Sequence, residues 1–200
     1  MIAFDVVRNF ESTVAKYAGS KYAASVDSCS NAIFLSLLYR NIKGKEITIP
    51  SRTYPSVPCA IINAGGKVKF TDQTWKGIYT LDPVGVVDGA KRFTKNMYVK
   101  DTLHCLSFHS KKHLKIGRGG MVLTDDEDAY LWLKKARFDG RSECPLSEDD
   151  FQMIGWNFYM SPEQAARGLW LMGSMPDDNE DLQEVPDYPD LSKFPIFTKD

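Results

Sequence analysis

Apolar residues along this chain fall into two alternating spacings, every second position and every third or fourth. The changes between them mark out strands and helices in turn. Phe10, Val14 and Tyr17 share a helical face, with Asn9 placed as an N-cap and Gly19 as a stop. Residues 22–26 read as a short strand and 32–39 as a helix. Residues 46–50 alternate as a strand, Val57, Ile61 and Ile62 lie on a helix ending at Gly65-Gly66, and 67–72 alternate again. Residues 73–83 read only as a connector, and 84–87 as a buried strand ending in Asp88. Two more strands, 103–108 and 121–124, enclose a lysine-rich turn. A helix over 126–138 opens on acids and closes on Lys134, Lys135 and Arg137, as the helix dipole favours. Ser161, Pro162 and Gln164 take the N-cap, N1 and N3 places of a last helix through Ala165, Ala166, Leu169 and Leu171. Strands alternating with helices predict an α/β fold with a mostly parallel central sheet.

Composition narrows the picture. Two hundred residues, 43% of them hydrophobic, suit one domain with a core of its own. A net charge of −1 gives no general attraction to nucleic acid or to an anionic membrane. No apolar run approaches a membrane span, and the start of the chain lacks a signal-peptide pattern, so a cytoplasmic protein is expected. Cys29, Cys59, Cys105 and Cys144 are widely spaced and read as free thiols, and His109 and His113 lack the acidic companion of a zinc helix, so no metal is expected. After Pro176 the chain turns acidic, with Asp177, Asp178, Glu180, Asp181 and Glu184 among Pro186, Pro189 and Pro195. This predicts a body over 1–174 and an arm over 175–200, whose Phe194, Ile196 and Phe197 could dock on the body or on a partner subunit.

Candidate chemistry gathers at strand ends, where open α/β sheets place ligands. Cys29 and Ser30 lie between a strand and a helix, the geometry of a phosphate site and equally of an ordinary N-cap. Tyr54 follows a strand and could stack on a flat ring or pack beneath a loop. Asp88, at the mouth of an apolar strand, is either functional or a helix cap. The turn within 104–125 carries Lys111, Lys112 and Lys115 and ends in Gly117, Gly119 and Gly120. It is a solvated basic loop unless one lysine is held and desolvated, which would make its amine a nucleophile.

Several short motifs recur together in order: Phe10-Glu11, Ile49-Pro50-Ser51 with Thr53-Tyr54, Gly65-Gly66 with Asp72, and Val87-Asp88-Gly89-Ala90. Ser107-Phe108-His109 with Lys112 and Gly117-Arg118-Gly119-Gly120 follow, then Gly155-Trp156-Asn157-Phe158-Tyr159-Met160-Ser161 with Gln164. Taken together these resemble the DegT/DnrJ family of sugar aminotransferases, which depend on pyridoxal 5′-phosphate (PLP).

The resemblance implies a three-layer α/β sandwich of the PLP-dependent transferase large-domain type, with the C-terminal small domain largely absent, and a homodimer with shared active sites. It implies amino transfer from an amino acid, glutamate foremost, to a keto sugar, nucleotide-linked in this family. By motif position Lys112, fifth after Ser107, is the Schiff-base lysine. Asp88 pairs with the pyridine nitrogen, Cys29, Ser30 and Ser107 hold the phosphate, and Tyr54 stacks on the ring. Lys91 stands beside the phenolic oxygen, and Asn157 reaches a partner's phosphate. Cys29 replaces the family's glycine, Lys91 its glutamine and Tyr159 its arginine, and the segment between Asp72 and Val84 is short. Two alternatives use the same scaffold. One is a PLP-dependent sugar dehydratase, against which Lys112 argues because those relatives carry histidine there. The other is a non-catalytic dimeric interaction protein.

Overall fold

In the computed structural model, residues 4–182 and 188–198 are described. Glu184 and Pro186 of the acidic arm lie outside them. The chain runs α1 (Asp5–Ala18), β1 (Tyr22–Val26), α2 (Cys29–Tyr39), β2 (Glu46–Pro50), α3 (Ser56–Asn63) and β3 (Lys67–Thr71). It continues β4 (Tyr79–Leu81), β5 (Val86–Asp88), β6 (Leu103–Ser107), β7 (Gly120–Thr124), α4 (Glu127–Ala136) and α5 (Pro162–Met172).

A five-stranded sheet has the order β1-β7-β6-β5-β4, and β2 pairs with β3 beside it. The pairs β5·β6 and β2·β3 are parallel, whereas β1·β7, β6·β7 and β4·β5 are antiparallel. A lone antiparallel bridge, Thr48 to Asp82, sets β2 against the end of β4. Followed through these pairings, β1, β2, β3, β5 and β6 point one way and β4 and β7 the other. The expected mostly parallel sheet therefore holds for strand direction and fails for pairing. Two reversed strands sit among the others and make most ladders of the larger sheet antiparallel.

β4 corrects the reading of 73–83 as connector alone. It folds back on β5 with Tyr79 opposite Asp88, Thr80 opposite Val87 and Leu81 opposite Val86. Only the four residues 82–85 separate β4 from β5, too few for a crossover to a parallel strand, and a tight turn through Gly85, at φ 63°, supplies a hairpin. Helix α1 also begins earlier than the Asn9 cap implies. Val7 extends the buried stripe of Phe10 and Val14 by one turn upstream, so the apolar face overrides the capping signal. At α5 the expected capping box forms: Ser161 accepts from Gln164 N–H and the Gln164 side chain accepts from Ser161 N–H.

Successive strand residues feed opposite cores. Ala24, Cys105 and Val122 pack against α2, α3 and α4, whereas Ala23, Leu106, Met121 and Leu123 pack against α1 and α5. Three layers result. No helix among the described residues is long and apolar enough to cross a membrane.

The α1 side carries a buried ionic network. Arg137, 1% exposed, bonds to Glu11 and to Ser25 Oγ (3.0 Å), and Glu11 also accepts from Ser25 N–H (2.9 Å). Lys134 lies 2.6 Å from Glu143 and 3.6 Å from Glu11. Removing one partner strands a desolvated charge, so Arg137→Met is expected to lower unfolding free energy by about 3 kcal/mol, whereas Arg137→Met with Glu11→Met recovers most of it. Urea denaturation of both variants checks this. A single variant as stable as wild type would contradict it.

Beyond α5 the chain returns across the body. Lys95 N–H donates to the Asp177 carbonyl (2.9 Å), Arg92 makes two bonds of 2.7 Å to Asp181, and Leu182 N–H donates to the Lys91 carbonyl (2.9 Å). Further on, Leu191 is buried, its N–H donating to Ser51 (2.9 Å). Of the three arm residues expected to dock, Phe197 meets Phe70 edge-on, whereas Phe194 and Ile196 are exposed.

Candidate active site

Where β1, β5 and β6 end, their loops enclose a cavity of about 710 Å³. Its floor is set by α2. Ser28 caps this helix, its hydroxyl accepting from Asn31 N–H (3.2 Å), and Asp27 holds the Asn31 amide (2.6 Å). The first N–H groups of a helix have no intrahelical partner and point outward with the positive end of its dipole. Ser30 lies in this turn and its hydroxyl donates to Ser56, the first residue of α3, at 2.7 Å. Two helix starts and two hydroxyls thus face the same space, with Ser107 at the end of β6 nearby. The turn sits close under β7: a side chain on Gly120 would come within 2.4 Å of Ser28 backbone. Cys29 lines the cavity, its thiol pushed well above its usual pKa by burial and further by the Asp88 charge, so it stays neutral.

Asp88 ends β5 and is 4% exposed. It accepts from Ala90 N–H (2.9 Å) and from the Tyr79 hydroxyl (3.0 Å), and Tyr79 shares a further bond with Thr53 (2.6 Å). Burial raises its carboxyl above the usual range, against the pull of those two bonds and of the Lys112 and Lys91 charges. The following residue must be glycine, because a Cβ there would lie 2.4 Å from His104 Nε2.

The lysine turn is a hairpin tip. Phe108 N–H donates to Gly119 (2.9 Å), Gly117 N–H to Phe108 (3.1 Å) and Lys112 N–H to His109 (2.8 Å). Buried Leu114 and Ile116 anchor it. Lys111 and Lys112 line the cavity and Lys115 does not. Lys112 is the less exposed of the pair, and its charge acts on both Asp88 and Cys29. Arg118 closes the turn onto the α2 start through Asp27 (2.9 Å).

One cavity therefore gathers Cys29, Ser30, Tyr54, Asp88, Lys91, Ser107 and Lys112. Tyr54 stands at its mouth, 58% exposed. Asn157 is not among the lining residues: it is exposed and bonds Asp139 (3.0 Å). Sequence reasoning missed Tyr79, Thr53, Trp75, Leu182 and Tyr188, all at the cavity or bonded to Asp88. Tyr79 left no periodic signal, because the three residues of β4 are too few to show an alternation.

Against known proteins, the model of the DegT/DnrJ/EryC1/StrS aminotransferase family matches residues 2–99 and 89–188. The chain belongs to this family. Within it, the chain is 23% identical over 238 residues to UDP-4-amino-4,6-dideoxy-N-acetyl-beta-L-altrosamine transaminase of Campylobacter jejuni, covering 96% of this chain and 63% of that one. A family aminotransferase from Brucella abortus superposes with a TM-score of 0.73 at 20% identity, over 86% of this chain and 59% of that one. GDP-4-keto-6-deoxymannose-3-dehydratase, solved with a trapped PLP-glutamate geminal diamine, gives 0.66 at 20% identity, over 86% and 61%. The chain spans about three fifths of the length of the curated relatives it matches.

Proposed function

We propose that this family member binds PLP in the cavity and moves an amino group from an amino acid, glutamate foremost, to a keto sugar carried on a nucleotide. The observation that carries the reading is the meeting of a buried carboxylate, Asp88, a lysine, Lys112, and a serine-lined helix start in one enclosed space. The donor set suits the cofactor: hydroxyls and N–H groups for its phosphate, a carboxylate for its ring nitrogen and an amine for its carbonyl carbon. Bound there, PLP supplies an electron-accepting ring for charge that develops on the substrate carbon.

The chain's own residues then divide the work. Ser30, Ser107 and the α2 N-terminus, beside Cys29, would hold the phosphate. Asp88 would accept the ring N–H and keep it protonated. Tyr54 would cover one face of the ring, and Lys91 would stand beside its phenolic oxygen. Lys112 would hold the cofactor through Nζ, and the same amine, when free, would move a proton between the donor's α-carbon and the product. The body over 1–174 would supply these groups, and from the arm over 175–200 Leu182 and Tyr188 line the outer wall. Exposed Asn157 suits a homodimer in which it serves the partner's site. A cytoplasmic setting fits four free thiols. Against the dehydratase reading stands the side chain of His113, which bonds the Glu180 carbonyl (2.8 Å) and does not line the cavity.

The test is spectroscopic. Protein incubated with PLP is expected to gain a visible absorption band that glutamate converts and a nucleotide-linked keto sugar restores. Failure to take up PLP would overturn the reading. Uptake without conversion by any amino donor would leave only the binding half.

A further inference from the structure

Arg118 comes from the closing arm of the lysine turn. It lines the cavity, yet its side chain is 69% exposed, which puts the guanidinium at the rim. Backbone bonds carry it there without using its side chain. Phe108 N–H donates to the Gly119 carbonyl (2.9 Å) and Ser110 N–H to the Gly117 carbonyl (3.2 Å), so the hairpin closes on both sides of Arg118. The flanking Gly117 and Gly119 take φ of 116° and 147°, a backbone open to glycine, and so turn Arg118 off the line of a regular strand. From this kink the side chain reaches the loop after β1. Its Nη2 lies 2.9 Å from Asp27 Oδ2, and its Nε donates to the Asp27 carbonyl (3.3 Å).

Asp27 does not depend on this contact. Its Oδ1 accepts from the Asn31 amide (2.6 Å) and from the Ser28 hydroxyl (3.0 Å). Its side chain is 20% exposed, so water can replace the guanidinium at Oδ2. An ion pair open to solvent holds its partners weakly. A phosphate group offers the planar fork of an arginine several strongly charged oxygens at once and can draw it away.

The shape of the acceptor says which phosphate that is. Ser30 and Ser107, the hydroxyls suited to the cofactor, are half-buried and lie deeper than Arg118. In a nucleotide-linked keto sugar the keto carbon must reach the reacting end of the cavity, at Asp88 and Lys112. The diphosphate leaves the sugar ring at its anomeric carbon and leads on to the base, so with the sugar inside, the diphosphate crosses the rim.

We propose that Arg118 exchanges Asp27 for the diphosphate of the acceptor, which makes it a specificity-determining residue that selects a nucleotide-linked keto sugar over a free one. The proposal rests on the reading that amino transfer to such an acceptor takes place in this cavity.

Arg118→Gln and Arg118→Lys in the full chain test it, with Lys111→Gln as the measure of general charge at the rim. The probes are uridine 5′-diphosphate and guanosine 5′-diphosphate, titrated at fixed ionic strength into PLP-loaded protein. Arg118→Gln is expected to raise the diphosphate Kd about tenfold, with the PLP Kd and the conversion by glutamate within about threefold of wild type. In turnover the KM for a nucleotide-linked keto sugar rises while kcat stays, a split that a merely structural contact with Asp27 would not produce. Arg118→Lys, which keeps the charge and loses the fork, falls between, and Lys111→Gln stays near wild type. A wild type that binds neither diphosphate, an unchanged Kd in Arg118→Gln, an equal weakening in Lys111→Gln or an equal loss of PLP affinity would overturn the proposal. A wild type that takes up no PLP would overturn the amino-transfer reading and the acceptor role with it. The diphosphate grip is then decided by the same titration on cofactor-free protein, where a weakening of about tenfold in Arg118→Gln supports it and an unchanged Kd refutes it.

Discussion

Lys112→Ala is expected to lose amino transfer by at least about 10⁴-fold while folding as wild type. The lysine is half-exposed, and the turn is held by backbone bonds and by Leu114 and Ile116, none of which involve its side chain. Lys111→Ala and Lys115→Ala are the controls. Lys111 reaches the cavity from a more exposed position and Lys115 does not reach it. Both are expected to keep most of the activity. Steady-state rates with matched circular dichroism spectra check the set. Equal losses for Lys111→Ala and Lys112→Ala would mean that the turn acts as a diffuse basic patch.

Asp88→Asn is expected to cut kcat/KM by at least about 10³-fold, because an amide cannot hold the ring nitrogen protonated. The same variant should be more stable than wild type at neutral pH. Burial raises the native Asp88 pKa above its unfolded value, so the native state binds this proton more tightly. Asp88 therefore favours folding below the unfolded pKa, and that contribution is lost as pH rises through the native pKa. At neutral pH the ionised group is a cost that asparagine removes, while Oδ1 still accepts from Ala90 and Nδ2 can donate to Tyr79. A higher Tm at pH 7 that disappears near pH 3 is expected from thermal melts. A lower Tm at pH 7 would show that the ionised form stabilises the fold. Stability sacrificed at one buried carboxylate is what a functional site is expected to display.

Much of this was legible along the chain because the signals are local. The alternation of 22–26 and 121–124, the glycines closing the lysine turn and the Ser161 capping box each lie within a few residues and appear where the pattern places them. The cavity was legible too, since strand ends carry ligand groups whatever the pairing. What escaped depends on contacts distant in sequence. β4 is three residues long, too short for a period, and its reversal follows from the four-residue turn, 82–85, that joins it to β5. Val7 rather than Asn9 decides where α1 begins, because burial outweighs a cap. Nothing in the local sequence of Trp75 or Tyr188 says that both rings meet Lys91. Asn157, read from a motif, lies away from its own chain's cavity, and its proposed role depends on a second copy.

The central claim is that one particular amine on the lysine turn holds the cofactor. Borohydride reduction of the PLP-loaded wild type, followed by proteolysis and mass mapping, tests it most directly. The account predicts a phosphopyridoxyl group on Lys112 alone. A label on Lys91, Lys111 or Lys115 instead, or no label on any lysine after PLP uptake, would contradict it.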